Sequence, residues 1–152
     1  MGGQNDYLKS GGFSQYLYTH GDVIKSGNLE AKAIYKVGTA DYHNGLPLYS
    51  NTADMYFRLT KAKASDEFKI DQLRLYKDRK ALMDFDWGHD HPRYKDGKRI
   101  DPYPRGTVHV QFYKLVDGEP VRDPSRTRMM SNAEIKKYGA FLRKADPTVK
   151  FR

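Results

Sequence analysis

The chain has 152 residues, 38% of them hydrophobic and 30% charged, with 12 tyrosines and 7 phenylalanines to build a core, which fits one folded domain and argues against disorder throughout. It has no cysteine, so a disulfide framework and a thiolate metal site are excluded, and no apolar run approaches the ~20 residues of a membrane-spanning helix. The formal net charge of +8 is concentrated after residue 100, at Arg105, Lys114, Arg122, Arg126, Arg128 and beyond, a bias that favours nucleic acid first among polyanionic partners.

Residues 1–29 read as a loosely structured arm, with glycines scattered among polar residues and tyrosines, and residues 30–152 as a single domain. The start, Met1-Gly-Gly-Gln-Asn-Asp6, lacks the basic and apolar stretches of a signal peptide. With the missing cysteines, that fits an expected cytoplasmic location, the protein's own or that of a target cell reached by a signal-independent route. Alternation from Leu29 to Val37 predicts a strand, with a short helix as the alternative, and His43-Asn44-Gly45 a turn.

Period-two patterning is clearest in the middle of the chain. Met55, Phe57 and Leu59 alternate with polar partners, as do Leu73 and Leu75, then Met83, Phe85 and Trp87, then Val108, Val110 and Phe112. Strands with one apolar and one polar face predict an antiparallel sheet covered on one side. Lys77-Asp78-Arg79-Lys80 is short enough for a hairpin, Asp117-Gly118 is a turn signal, and His91 to Gly106 reads as a long loop. Ser131-Asn-Ala-Glu134 is a capping box, followed by Ile135, Tyr138, Phe141 and Leu142 on one helical stripe and by Pro147 as a stop. The predicted fold is α+β: an antiparallel sheet of four to five strands with a C-terminal helix packed on one face.

The uncovered polar face would then carry Tyr56, Arg58, Arg74, Tyr76, Asp84, Asp86, His109, Gln111 and Tyr113. These types suit proton transfer and phosphate recognition, with an aspartate beside His109 fixing its tautomer and arginines gripping a phosphate. The segment Asp84-Phe-Asp-Trp-Gly-His-Asp-His91 adds two histidines. A straight strand would point His89 and His91 away from Asp84 and Asp86, so a joint site requires a break, which Gly88 permits. Arg93 and Arg105 lie in the adjoining loop as further substrate-binding candidates. His89, His91 and His109 also form an alternative ligand set for a divalent metal, since imidazole suits zinc, iron or manganese.

A small basic domain with a helix on an antiparallel sheet, and His, Arg, Tyr and acidic residues on the open face, resembles the compact RNases of the barnase, EndoU and RelE type. The resemblance is architectural and spans about Met55 to Leu142. It implies metal-independent RNA cleavage without a cofactor, in a toxin module or mobile element, with RNA as partner, no membrane, and an immunity protein or parent assembly nearby. On that scheme His109 and either His89 or His91 exchange protons with the ribose and the leaving oxygen, Asp84 or Asp86 orients His109, and Arg58 and Arg74 hold the phosphate. Two rivals stand beside it: a non-catalytic nucleic-acid-binding or virion-associated protein, and an enzyme with a His-ligated metal.

Overall fold

The computed structural model describes residues 17–37, 46–51, 53–61, 65–89 and 91–152. In chain order the strands are β1 (Leu17–Ser26), β2 (Leu29–Val37), β3 (Met55–Thr60), β4 (Lys69–Lys77), β5 (Lys80–Asp86), β6 (His91–Lys95), β7 (Lys98–Tyr103), β8 (His109–Val116) and β9 (Glu119–Met129), followed by helix α1 (Asn132–Ala145). The α+β class holds, but the main sheet has seven strands in the order β1-β2-β3-β4-β5-β8-β9. It is mixed rather than antiparallel, because β2 and β3 run parallel. Residues 38–54 join these two strands, long enough to return the chain to the same end of the sheet. The predicted turn at His43-Asn44-Gly45 lies outside the described residues.

Two stretches expected to be irregular are strands. Leu17–Ser26 pairs with β2 as an edge of the main sheet, so the folded unit reaches back at least to Leu17. The expected loop from His91 to Gly106 instead folds into the separate hairpin β6–β7. Its turn, Asp96-Gly97, has positive φ at both residues, as do Asp78-Arg79 and Asp117-Gly118 in two other tight hairpins. That backbone twist matches the twist of paired strands, which is why Asp-Gly is such a strong hairpin sequence.

The apolar face of the sheet is covered by α1. Ser131 Oγ accepts from the Glu134 amide at 3.1 Å, and the Glu134 carboxylate accepts from the Ser131 amide at 2.8 Å, completing the capping box. The helical stripe then meets the sheet: Phe141 lies 4.9 Å from Phe57 and Tyr138 5.0 Å from Phe85, ring centre to ring centre. Leu73, Leu75, Phe85, Trp87, Val108 and Val110 belong to the same buried cluster, as their alternation predicts. Beyond the helix the chain returns to the sheet, where Lys150 pairs with Gly106 and Val108 through backbone hydrogen bonds. Phe151 packs so closely on Gly139 that a Cβ there would lie 3.3 Å from its ring. Among the described residues no helix is long and apolar enough to cross a membrane.

The opposite face is not the open surface that alternation predicts. Tyr56, Tyr76, Arg74, Asp84, Asp86, His109, Gln111 and Tyr113 are all buried. At one end the segment Leu46–Ser50 runs over it, with Leu46 and Pro47 carbonyls accepting from Arg74 and the Pro47 carbonyl from Tyr76. At the other end Tyr103 of β7 stacks on His109. Buried polar groups require partners, so this face had to organise into networks.

Candidate metal centre

The register of β4, β5 and β8 divides the polar face into two clusters. Arg74 stands opposite Asp84, and Asp84 opposite Gln111; two pairs further along, Asp86 stands opposite His109. Side chains two residues apart on a strand share a face, so Asp84 and Asp86 begin neighbouring but separate groups.

In the first cluster Arg74 Nε and Nη2 donate to Asp84 at 2.7 and 3.0 Å. Its Nη2 also donates to the Tyr113 hydroxyl, and Nη1 to the carbonyls of Leu46 and Pro47. A guanidinium has five N–H donors, and all five are used. Tyr113 donates in turn to Asp84, and the half-exposed Arg122 donates to the Tyr113 hydroxyl at 3.2 Å. Burial alone would lower the pKa of Arg74, but the adjacent Asp84 outweighs it and the pKa is raised. Arg74 therefore cannot grip a scissile phosphate: it is sealed and fully engaged. Asp84 likewise serves Arg74 rather than His109. Tyr76, donating to the Pro47 carbonyl, holds the covering segment.

The second cluster is built by the break at Gly88. Strand β5 ends at Asp86, and the Gly88 amide donates back to Asp86 Oδ1 at 3.1 Å. The Asp71 carboxylate fills the place a side chain at 88 would need, so that a Cβ there would collide with its Oδ2. Only glycine permits that approach. Asp71 is fixed there by Arg58, whose Nε and Nη2 donate to its two oxygens at 2.8 and 2.9 Å. Arg58 is thus a brace for Asp71, with its pKa raised by that carboxylate against the opposing effect of burial.

The turn carries His89 back over the sheet, leaving its Nδ1 3.5 Å from Asp86 Oδ1. The His89 and His109 rings meet edge to face at 5.8 Å, and Tyr103 stacks on His109 at 5.8 Å and 11°. Arg93 caps that stack, 4.7 Å above the Tyr103 ring. Asp86 and His109 are 2% and 0% exposed, whereas the His89 side chain is 45% exposed. Burial raises the Asp86 pKa, opposed by His89, Arg58 and the Gly88 hydrogen bond.

One ligand-type atom each from Asp86, His89 and His109 lies within 4.8 Å of the other two. Tetrahedral bonds of 2.0–2.1 Å place ligand atoms about 3.3 Å apart, so small side-chain rotations would close the set around an ion. Two imidazoles and a carboxylate suit zinc, iron(II) or manganese(II), and His89 leaves one side open to solvent. The metal-ligand set read from sequence thus changes: Asp86 joins His89 and His109. The His91 side chain lies outside the described residues; its backbone begins β6 opposite Tyr103.

Gln111 sits between the clusters, fully buried, with neither amide atom hydrogen-bonded among the described residues. Arg105 lines a pocket of about 450 Å³ with Asp71, Gly88 and Asp146. Sequence reasoning missed Asp71 and Tyr103. An aspartate in phase with Leu73 and Leu75 was the available signal for the first: it reaches Arg58 because the β3–β4 ladder is irregular between Arg58 and Leu59. Nothing local marked Tyr103, whose role depends on where the hairpin folds. No family model, curated protein or solved structure matches this chain, so the geometry is the ground for assigning its chemistry.

Proposed function

We propose that Asp86, His89 and His109 bind a divalent transition metal and that the protein is a metal-dependent hydrolase acting on an anionic substrate. The observation that carries this reading is the convergence of three ligand atoms within 4.8 Å at a place built by a strand break. A divalent ion held there would polarise an ester oxygen and acidify a water. The chain's own groups divide the remaining work. Asp86 supplies the negative charge from the buried side, His109 is held by stacking against Tyr103, and His89 lies at the solvent-facing edge. The basic surplus favours phosphate-bearing substrates.

A second reading keeps the metal-independent RNA cleavage that the RNase resemblance implies. It is favoured by the contact of half-exposed His89 with buried Asp86, an arrangement that could orient a proton-transferring imidazole. His109 is a poor direct base on this reading, because it is fully buried.

Calorimetric titration of the EDTA-stripped, dialysed protein with zinc and manganese, beside cleavage of a labelled structured RNA with and without EDTA, separates the two. Stoichiometric metal binding lost in His109→Ala, with activity that EDTA abolishes, supports the hydrolase. Cleavage that survives EDTA moves the assignment to the His89–Asp86 pair. Absence of metal binding and of cleavage rejects both.

A further inference from the structure

We propose that the trough between hairpin β6–β7 and the middle of β9 binds single-stranded nucleic acid and leads it to the Asp86–His89–His109 centre. The inference rests on the reading of that centre as the reactive one, and it names the substrate class.

The trough has a volume of about 610 Å³ and is lined by Arg93, Tyr94, Lys95, Tyr103, Pro124 and Thr127 among others. Its β9 wall exists because the strand loops out: Val110 pairs with Arg128 and Phe112 with Asp123, so residues 124–127 stand against Gln111 alone. Excursions of this kind re-aim a strand and cluster beside functional sites. The Tyr103 hydroxyl, 3.4 Å from the Thr127 carbonyl, joins the two walls at the floor.

The chemistry of the walls suits a polyanion with exposed bases. Hairpin β6–β7 carries Arg93, Lys95, Lys98 and Arg99 against two carboxylates, Asp96 and Asp101. Lys95 pairs directly opposite Lys98, and the next pair places Tyr94 opposite Arg99. Like charges opposite one another weaken a hairpin, and a bound phosphate relieves that repulsion. Tyr94 is 66% exposed, leaving a ring face for a base to stack on. On the β9 side Arg126 and Arg128 both lie over the Phe112 ring, adding cationic potential beyond the trough. Single strands rather than duplexes fit, because stacking on Tyr94 requires a base free of its neighbours. Continuity with the centre comes from the stack Arg93–Tyr103–His109: the ring that floors the trough is the ring that packs on the proposed ligand.

The test is fluorescence anisotropy of a labelled oligothymidylate of about twelve nucleotides, over a salt series and in EDTA, so that binding is read without metal. The wild-type protein is expected to bind the single strand more tightly than a duplex of equal length. Tyr94→Ala should weaken binding about tenfold or more at an unchanged salt slope. A Lys95→Ala/Lys98→Ala variant should flatten the slope by about 1.4, roughly 0.7 for each phosphate no longer neutralised. No salt-dependent binding, preference for the duplex, or unchanged affinity in both variants would overturn the proposal. Metal titration of the same samples keeps the two readings apart. Metal bound without nucleic acid sinks the trough alone, and nucleic acid bound without metal sinks the hydrolase reading alone.

Discussion

The two clusters on the buried face share a sheet, a depth and much of their chemistry, yet they differ in how their charge is balanced. Around Asp84 the counter-charge is permanent: Arg74 donates twice to it and directs its remaining N–H groups to Tyr113 and two carbonyls. Around Asp86, by contrast, His89 lies 3.5 Å away, charged only when protonated and half exposed, while the permanent charge of Arg58, which also acts on Asp86, is hydrogen-bonded to Asp71. A closed network holds structure, whereas a carboxylate faced by two imidazoles can exchange protons or take up a metal. Burial of charge therefore does not distinguish the two clusters; the nature of the counter-charge does.

The largest way to break the comparison is Asp84→Ala. It strands a buried guanidinium, and the expected loss is about 3–5 kcal/mol of stability, read by urea denaturation. Replacing the pair together, as Arg74→Met with Asp84→Leu, should cost far less, because the desolvated charges disappear in company. His109→Ala tests the other cluster: metal affinity should fall by more than the roughly 10–100-fold typical of a residue that only supports a ligand, in calorimetric titration. Metal affinity left intact would remove His109 from the centre. Gly88→Ala forces its Cβ into the Asp71 carboxylate and should cost about 1–3 kcal/mol while weakening metal binding. Adding Asp71→Ala should recover part of the metal affinity if the turn is what matters.

The smallest effect lies at alkaline pH in the closed cluster. Burial, followed by the influence of Asp84, raises the Tyr113 pKa above its ordinary value of about 10, even though Arg74 and Arg122 pull it down. The native state therefore favours neutral tyrosine. That contribution is complete below pH ~10 and is lost as pH rises through the folded-state pKa. Tyr113→Phe should flatten this limb in a stability–pH profile, and an unchanged limb would assign it to other tyrosines.

What could be read in advance follows from which signals are local. The capping box at Ser131 and the stripe through Phe141 depend on neighbours within a few residues, and both stand as expected. The alternation around Leu73, Phe85 and Val110 fixed the apolar face for the same reason. The fate of the other face was not local, because Arg74 and Asp84 alternate identically whether solvated or locked together. Only their register, set across a hairpin, decides. Hairpin β6–β7 did carry its signal in Asp96-Gly97, overshadowed by the prolines and cations around it. Strand β1 has no clean alternation and exists through its ladder to β2. At the site, the need for a break at Gly88 was readable, and the structure brings His89 to Asp86 there. Asp71 required the irregular β3–β4 ladder to reach Arg58.

The parallel seam has a consequence for how the molecule opens. Strands β1 and β2 share a long antiparallel ladder with each other, but β2 joins β3 through only three residue pairs, Lys32–Tyr56, Ala33–Phe57 and Ile34–Arg58. Strands β3 to β5, β8 and β9 are bound to one another by longer or more local antiparallel ladders. The N-terminal hairpin is therefore expected to detach as a cooperative unit before the rest of the sheet unfolds, and its amides to exchange with deuterium sooner than those of β4 and β5. The last rung of that seam is Arg58, the brace of Asp71, so detachment of the hairpin is expected to loosen the support beneath the Gly88 turn.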